Sequence, residues 1–140
     1  SISGEKEMGK QFIIIALDNC AQGYVADVDS CVSQSIQVLL KTEDRMVNLF
    51  DSGQSLLKKA IIEPPSCIVM DAIMPDIDGL TLLQRMRENA METPVILLGG
   101  NSEVAAVVDA VKAGAWDYFE KPFLQRALID SVARAIKAAL

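Results

Sequence analysis

A chain of 140 residues, 51% hydrophobic and 23% charged, can bury one core without disulfides or structural metal and is too apolar for intrinsic disorder. Its net charge of −6 argues against direct binding to nucleic acid or to an anionic membrane. The absence of histidine excludes histidine metal sites, Ser-His-Asp and Cys-His catalysis, and a phosphohistidine on this chain.

Residues 1–22 read as an N-terminal extension, first polar and flexible, then strongly apolar through Phe12–Leu17. Residues 23–140 read as one domain. Its first strand is assigned to Tyr24–Val28, followed by a helix whose apolar positions are Val32, Ile36, Leu39 and Leu40. A rival register makes Phe12–Leu17 the first strand, ending at Asp18, but leaves Tyr24–Val28 without a role. Met46–Phe50 is the second strand. Ser52-Gly53 opens a helix striped by Leu56, Leu57, Ala60 and Ile61, which Pro64-Pro65 stops. Cys67–Met70 is the third strand, apolar on both faces as a doubly covered sheet requires. Gly79 precedes a helix carrying Leu82, Leu83 and Met86. Pro94–Leu98 is the fourth strand. Asn101-Ser102 caps a helix striped by Val104, Val107, Val108 and Val111, and Gly114 ends it. Trp116–Glu120 is the fifth strand, and Leu128, Val132 and Ile136 mark the last helix. Strict alternation of this kind predicts an α/β fold, a (βα)5 doubly wound parallel sheet in order 2-1-3-4-5.

Cys20, Cys31 and Cys67 are odd in number and form no Cys-x-x-Cys pair, which fits free, buried thiols in a reducing compartment. No apolar run approaches the ~20 residues of a membrane span. The expected location is the cytoplasm, with no membrane partner.

In an open parallel sheet, ligands bind beyond the carboxyl ends of the strands. Those ends carry Asp27-Val28-Asp29, Asp71, Gly99-Gly100 and Glu120-Lys121-Pro122. Clustered carboxylates suit a hard cation, and a carboxylate beside Mg²⁺ and a lysine can accept a phosphoryl group. The run from Asp71 through Met74-Pro75 to Asp78-Gly79 resembles the phosphoacceptor segment of response-regulator receiver domains, the CheY-like fold. Lys112-Ala113-Gly114-Ala115, with Asp117-Tyr118-Phe119-Glu120-Lys121-Pro122-Phe123, resembles their fourth-helix end and fifth strand. The wording is closest to FixJ-type and NtrC-type transcriptional receivers, and the resemblance covers about Gly23 to Leu140.

The resemblance implies Asp71 as phosphoacceptor, Lys121 as the phosphoryl-binding lysine and Tyr118 as the aromatic switch residue. It implies Mg²⁺ as cofactor, held by Asp71 and Asp27. Two signature positions depart. The direct metal ligand of the family falls on Val28, which has no oxygen to offer, so the expected binding is weak, with Asp29 as a substitute ligand if the strand end bends. The hydroxyl residue of the switch falls on Gly99, so a hydrogen bond worth about 1.5–3 kcal/mol is missing and coupling to Tyr118 is expected to weaken.

The function expected is therefore a non-enzymatic signal receiver, either phosphorylated on Asp71 or working as a degenerate interaction module. Implied partners are a sensor histidine kinase or other phosphodonor, an output domain, and a second copy met through the fourth helix, fifth strand and fifth helix. Trp116 reads either as packing against the fourth helix or as an anchor in that interface. Asp76 and Asp78 read as turn and cap residues. A flavodoxin-like flavin protein is the alternative, with Ser30, Ser33 and Ser35 as a loose phosphate loop.

Overall fold

The computed structural model describes residues 12–16, 46–50, 52–72, 76–100, 104–121 and 123–139. Their elements are β1 (Phe12–Ala16), β2 (Met46–Phe50), α1 (Gly53–Ile62), β3 (Cys67–Asp71), α2 (Gly79–Glu88), β4 (Val95–Gly99), α3 (Val104–Lys112), β5 (Asp117–Glu120) and α4 (Gln125–Ala139). The strands form one sheet in the order β2-β1-β3-β4-β5, and every pairing is parallel.

Residue alternation along β3 and β4 divides the core in two. Cys67, Val69, Ile96 and Leu98 pack on Leu128, Ile129, Val132, Ala135 and Ile136 of α4. The intervening Ile68, Met70, Val95 and Leu97 pack on the other side, against Leu56 and Ala60 of α1, Leu82, Leu83 and Met86 of α2, and Ala110 of α3. Both strands are buried along their whole length, which is why they read as continuous apolar runs. Each fully buried leucine or isoleucine contributes about 1.5–3 kcal/mol relative to exposure.

The helix ends follow local chemistry. The Ser52 Oγ accepts from the Ser55 N–H at 3.2 Å, and α1 closes at Glu63, whose N–H donates to the Lys59 carbonyl, just before the two prolines. Asp78 is the N-cap of α2 and accepts from the Thr81 N–H, in keeping with its reading as a cap. Arg87 donates to the Met91 carbonyl at 2.7 Å and to the Gly114 carbonyl at 2.9 Å, tying the end of α2 to the turn after α3. That turn needs Gly114, whose φ is +94°. Burial pulls the Arg87 pKa below its ordinary value while nearby Glu92 acts the other way; a guanidinium stays charged regardless.

One expectation is corrected. The strand between β2 and β3 is Phe12–Ala16, so the sheet follows the rival register rather than Tyr24–Val28. A central parallel strand is buried on both faces and favours an unbroken β-branched run, which Ile13-Ile14-Ile15 supplies. Tyr24–Val28 and the helix stripe Val32 to Leu40 lie outside the described residues. On α3, Val104, Val108 and Val111 are exposed, Val107 is half-buried and Ala110 is buried, so most of the valine stripe is left uncovered by the described residues.

Candidate functional site

Three strand ends meet at one edge of the sheet. Asp71 closes β3, paired with Leu98 of β4, and the ladder continues one step as the Ala72 N–H donates to the Leu98 carbonyl at 2.8 Å. Gly99 closes β4 opposite Glu120 of β5. The Lys121 N–H donates to the Gly99 carbonyl at 2.7 Å, which carries the lysine to the same edge. There the Lys121 Nζ lies 2.6 Å from the Asp71 Oδ1. The carboxylate is buried, with 5% of its side chain exposed against 38% for the lysine. A short charge-assisted contact of this kind offsets part of the cost of burying a carboxylate, while the lysine keeps enough solvent access to shift toward a larger anion.

The approach of α2 depends on Gly79. Its N–H donates to the Ala72 carbonyl at 2.7 Å. A Cβ there would lie 2.5 Å from the Asp71 carbonyl oxygen and 3.0 Å from the Ala72 Cα. The glycine thus lets the positive end of a helix come against the strand end that bears Asp71.

Asp76 has a longer reach than its reading as a turn residue implies. Its carboxylate accepts from the Gly53 and Gln54 N–H groups, both at 2.9 Å, so it caps the start of α1 across the sequence. Desolvation acts to raise its pKa, but those backbone donors outweigh it and hold the carboxyl below the ordinary value of 3.8. Since the folded state holds the charged form, Asp76 stabilises the fold above the unfolded pKa, and the contribution disappears as pH falls through the lowered folded value. Asp76→Ala is expected to cost a few tenths to about 1 kcal/mol at pH 7, solvent exposure keeping it at the low end. Urea unfolding at pH 7 and near pH 2.5 checks this: the difference between the two proteins should shrink at the lower pH.

Gly99 and Tyr118 are in steric register. A Cβ on Gly99 would overlap the Tyr118 hydroxyl oxygen and lie 2.5 Å from its ring carbon Cζ. Tyr118 packs half-buried against the cluster that contains Met70 and Leu97.

The structure thus brings Asp71, Lys121, Gly99 and Tyr118 to one edge. Asp27, Val28 and Asp29 lie outside the described residues. Among the described residues no group of three or more acidic or thiol side chains could hold a metal ion. The described part of the site supplies one carboxylate, that of Asp71, paired to the Lys121 ammonium. Two features had no signal in the sequence: the Asp76 cap, which joins residues far apart along the chain, and the Arg87 bridge to Gly114.

A doubly wound parallel sheet with a carboxylate and a lysine converging at its carboxyl edge defines a CheY-like receiver architecture. Residues 24–133 match the response regulator receiver domain family, and the chain belongs to that family. FixJ, a transcriptional regulatory protein of Bradyrhizobium diazoefficiens, is 35% identical over 116 residues, covering 83% of this chain and 57% of FixJ. The chain therefore spans little more than half the length of that relative. The crystal structure of FixJ-N superposes with a TM-score of 0.74 at 27% identity, covering 91% of this chain and 94% of that one. The signal receiver domain of a LuxO-type repressor from Vibrio parahaemolyticus gives 0.81 at 22% identity, covering 93% and 92%, a likeness of fold alone. The flavin-binding alternative finds no support in these likenesses. The family match begins at residue 24, downstream of β1. Among the described residues no helix is long and apolar enough to cross a membrane.

Proposed function

We propose that this receiver domain accepts a phosphoryl group on Asp71, with Lys121 binding a phosphoryl oxygen. The observation that carries this reading is the 2.6 Å contact between the Lys121 ammonium and a buried carboxylate at the end of β3. With acetyl phosphate as donor, an Asp71 carboxylate oxygen attacks phosphorus, the bond from phosphorus to the acetyl oxygen breaks, and acetate leaves with the electron pair. The lysine neutralises charge on the transferred group. The Mg²⁺ site we propose uses Asp71 with Asp27, and Asp29 as a second candidate; with valine at position 28 its affinity is low. Intact mass after incubation with acetyl phosphate and MgCl₂ tests the reading. One added phosphoryl group is expected on the native chain and none on Asp71→Asn. Equal incorporation into both would sink it.

The partners of this reading are a sensor histidine kinase or a small phosphodonor in the cytoplasm, and an output domain whose transcriptional character rests on the likeness to FixJ. The face formed by α3, β5 and α4 is the proposed dimer surface. Val104, Val108, Val111 and Trp116 are exposed there, Trp116 at 43%, and apolar exposure grouped in this way suits association. The same patch supports the second reading, a degenerate receiver that works by contact alone.

The proposal takes residues 23–140 as the domain and 1–22 as an extension. The family match from residue 24 supports this boundary. So do the connections: residues 51–66, 72–94 and 100–116 join the later strands, and a strand ending at Val28 would leave residues 29–45, a similar length, whereas β1 leaves 17–45. Phe12–Ala16 fills a central place in the sheet; the proposed boundary requires that Tyr24–Val28 can take that place once residues 1–22 are removed. A chain shortened to residues 23–140 is expected to unfold cooperatively in urea, with Tyr24–Val28 in that place. Loss of the cooperative transition would show that Phe12–Ala16 is indispensable.

A further inference from the structure

Position 99 and the Tyr118 ring compete for one volume. The phenol oxygen lies where a side chain on Gly99 would begin, and the ring beneath it packs on the core cluster containing Met70 and Leu97. Gly99 is buried at the end of a wholly buried strand, so little water is available to refill the space if the ring leaves. Moving the ring out would open a void beside β4 and expose apolar surface, both unfavourable. Among the described residues the Tyr118 hydroxyl makes no hydrogen bond, so the ring is held in place by shape.

We infer that Gly99 and Tyr118 form a steric lock, in which the missing side chain at position 99 holds the Tyr118 ring inward whether or not Asp71 carries a phosphoryl group. Regulation of the surface around β5 is then uncoupled from the acceptor site. The inference rests on the receiver reading for its meaning, though the lock itself can be tested without any ligand.

The test is a double-mutant cycle read by urea unfolding. Gly99→Ala is expected to lower the unfolding midpoint clearly in the native background and to leave it nearly unchanged in Tyr118→Ala. If Gly99→Ala alone fails to fold, Gly99→Ala/Tyr118→Ala should fold again. Equal losses in both backgrounds, or a double variant that also fails to fold, would overturn the lock. In a second arm, ¹³C-edited spectra of the Tyr118 ring are recorded with beryllofluoride and MgCl₂, and the Ala72 amide reports ligand at Asp71. The ring signals should stay put while the Ala72 amide shifts. Movement of both would overturn the lock. An Ala72 amide that never shifts counts against the Asp71 reading, and the cycle alone then decides the lock.

Discussion

Val28→Asp is expected to tighten Mg²⁺ binding by roughly tenfold or more, equivalent to about 1.4 kcal/mol, and to speed phosphorylation of Asp71 by acetyl phosphate. Mg²⁺ takes near-octahedral oxygen ligation and binds proteins through one or two carboxylates, keeping several waters. If Tyr24–Val28 takes the strand place beside β3, as the proposed boundary requires, a valine supplies nothing to that shell, and because adjacent residues of an extended strand face opposite ways, Asp27 and Asp29 cannot both replace it without a bend. Calorimetric titration of the native protein and Val28→Asp with MgCl₂ checks this. Equal affinities would mean that Asp29 already serves as ligand, or that position 28 does not face the site.

Gly79→Val is expected to be the most damaging single change in the described region, costing about 3 kcal/mol or more. The new Cβ would meet backbone on two sides, the Asp71 carbonyl oxygen at 2.5 Å and the Ala72 Cα at 3.0 Å, and backbone cannot rotate aside as a long side chain can. Relief requires α2 to withdraw from β3, which breaks the hydrogen bond from Gly79 to Ala72 and uncovers Leu82, Leu83 and Met86. The loss should therefore appear both in the urea midpoint and in the extent of Asp71 phosphorylation, because the strand end that carries the acceptor shifts with the helix. A midpoint within error of the native protein would contradict this packing.

Much of this was legible because it is local. Apolar runs of about five residues bounded by turn chemistry mark β3 and β4, and the aromatic pair Tyr118-Phe119 marks the shorter β5; the strand-end residues Asp71 and Lys121 follow from them. Caps at Ser52 and Asp78 are read from residue type and position. The start of the sheet was not legible in this way. Phe12–Ala16 and Tyr24–Val28 are both strand-like, and local pattern cannot decide which of two candidates fills one central place. The valines of α3 show a second limit: periodicity says which face of a helix is apolar, and leaves open whether this chain or another covers it. The third limit is sterics. A glycine at position 99 reads as a missing hydroxyl, and the space it leaves for Tyr118 emerges only when β4 and β5 lie side by side.

A crystal structure grown with beryllofluoride and MgCl₂ tests the central claim most directly. The account predicts beryllium bonded to an Asp71 carboxylate oxygen, the Lys121 ammonium in contact with a fluoride, and the Tyr118 ring against Gly99 as it is without ligand. Asp71 still paired to Lys121 with no beryllofluoride on it, at concentrations that saturate a chain bearing Val28→Asp, would contradict the claim that Asp71 is the phosphoacceptor.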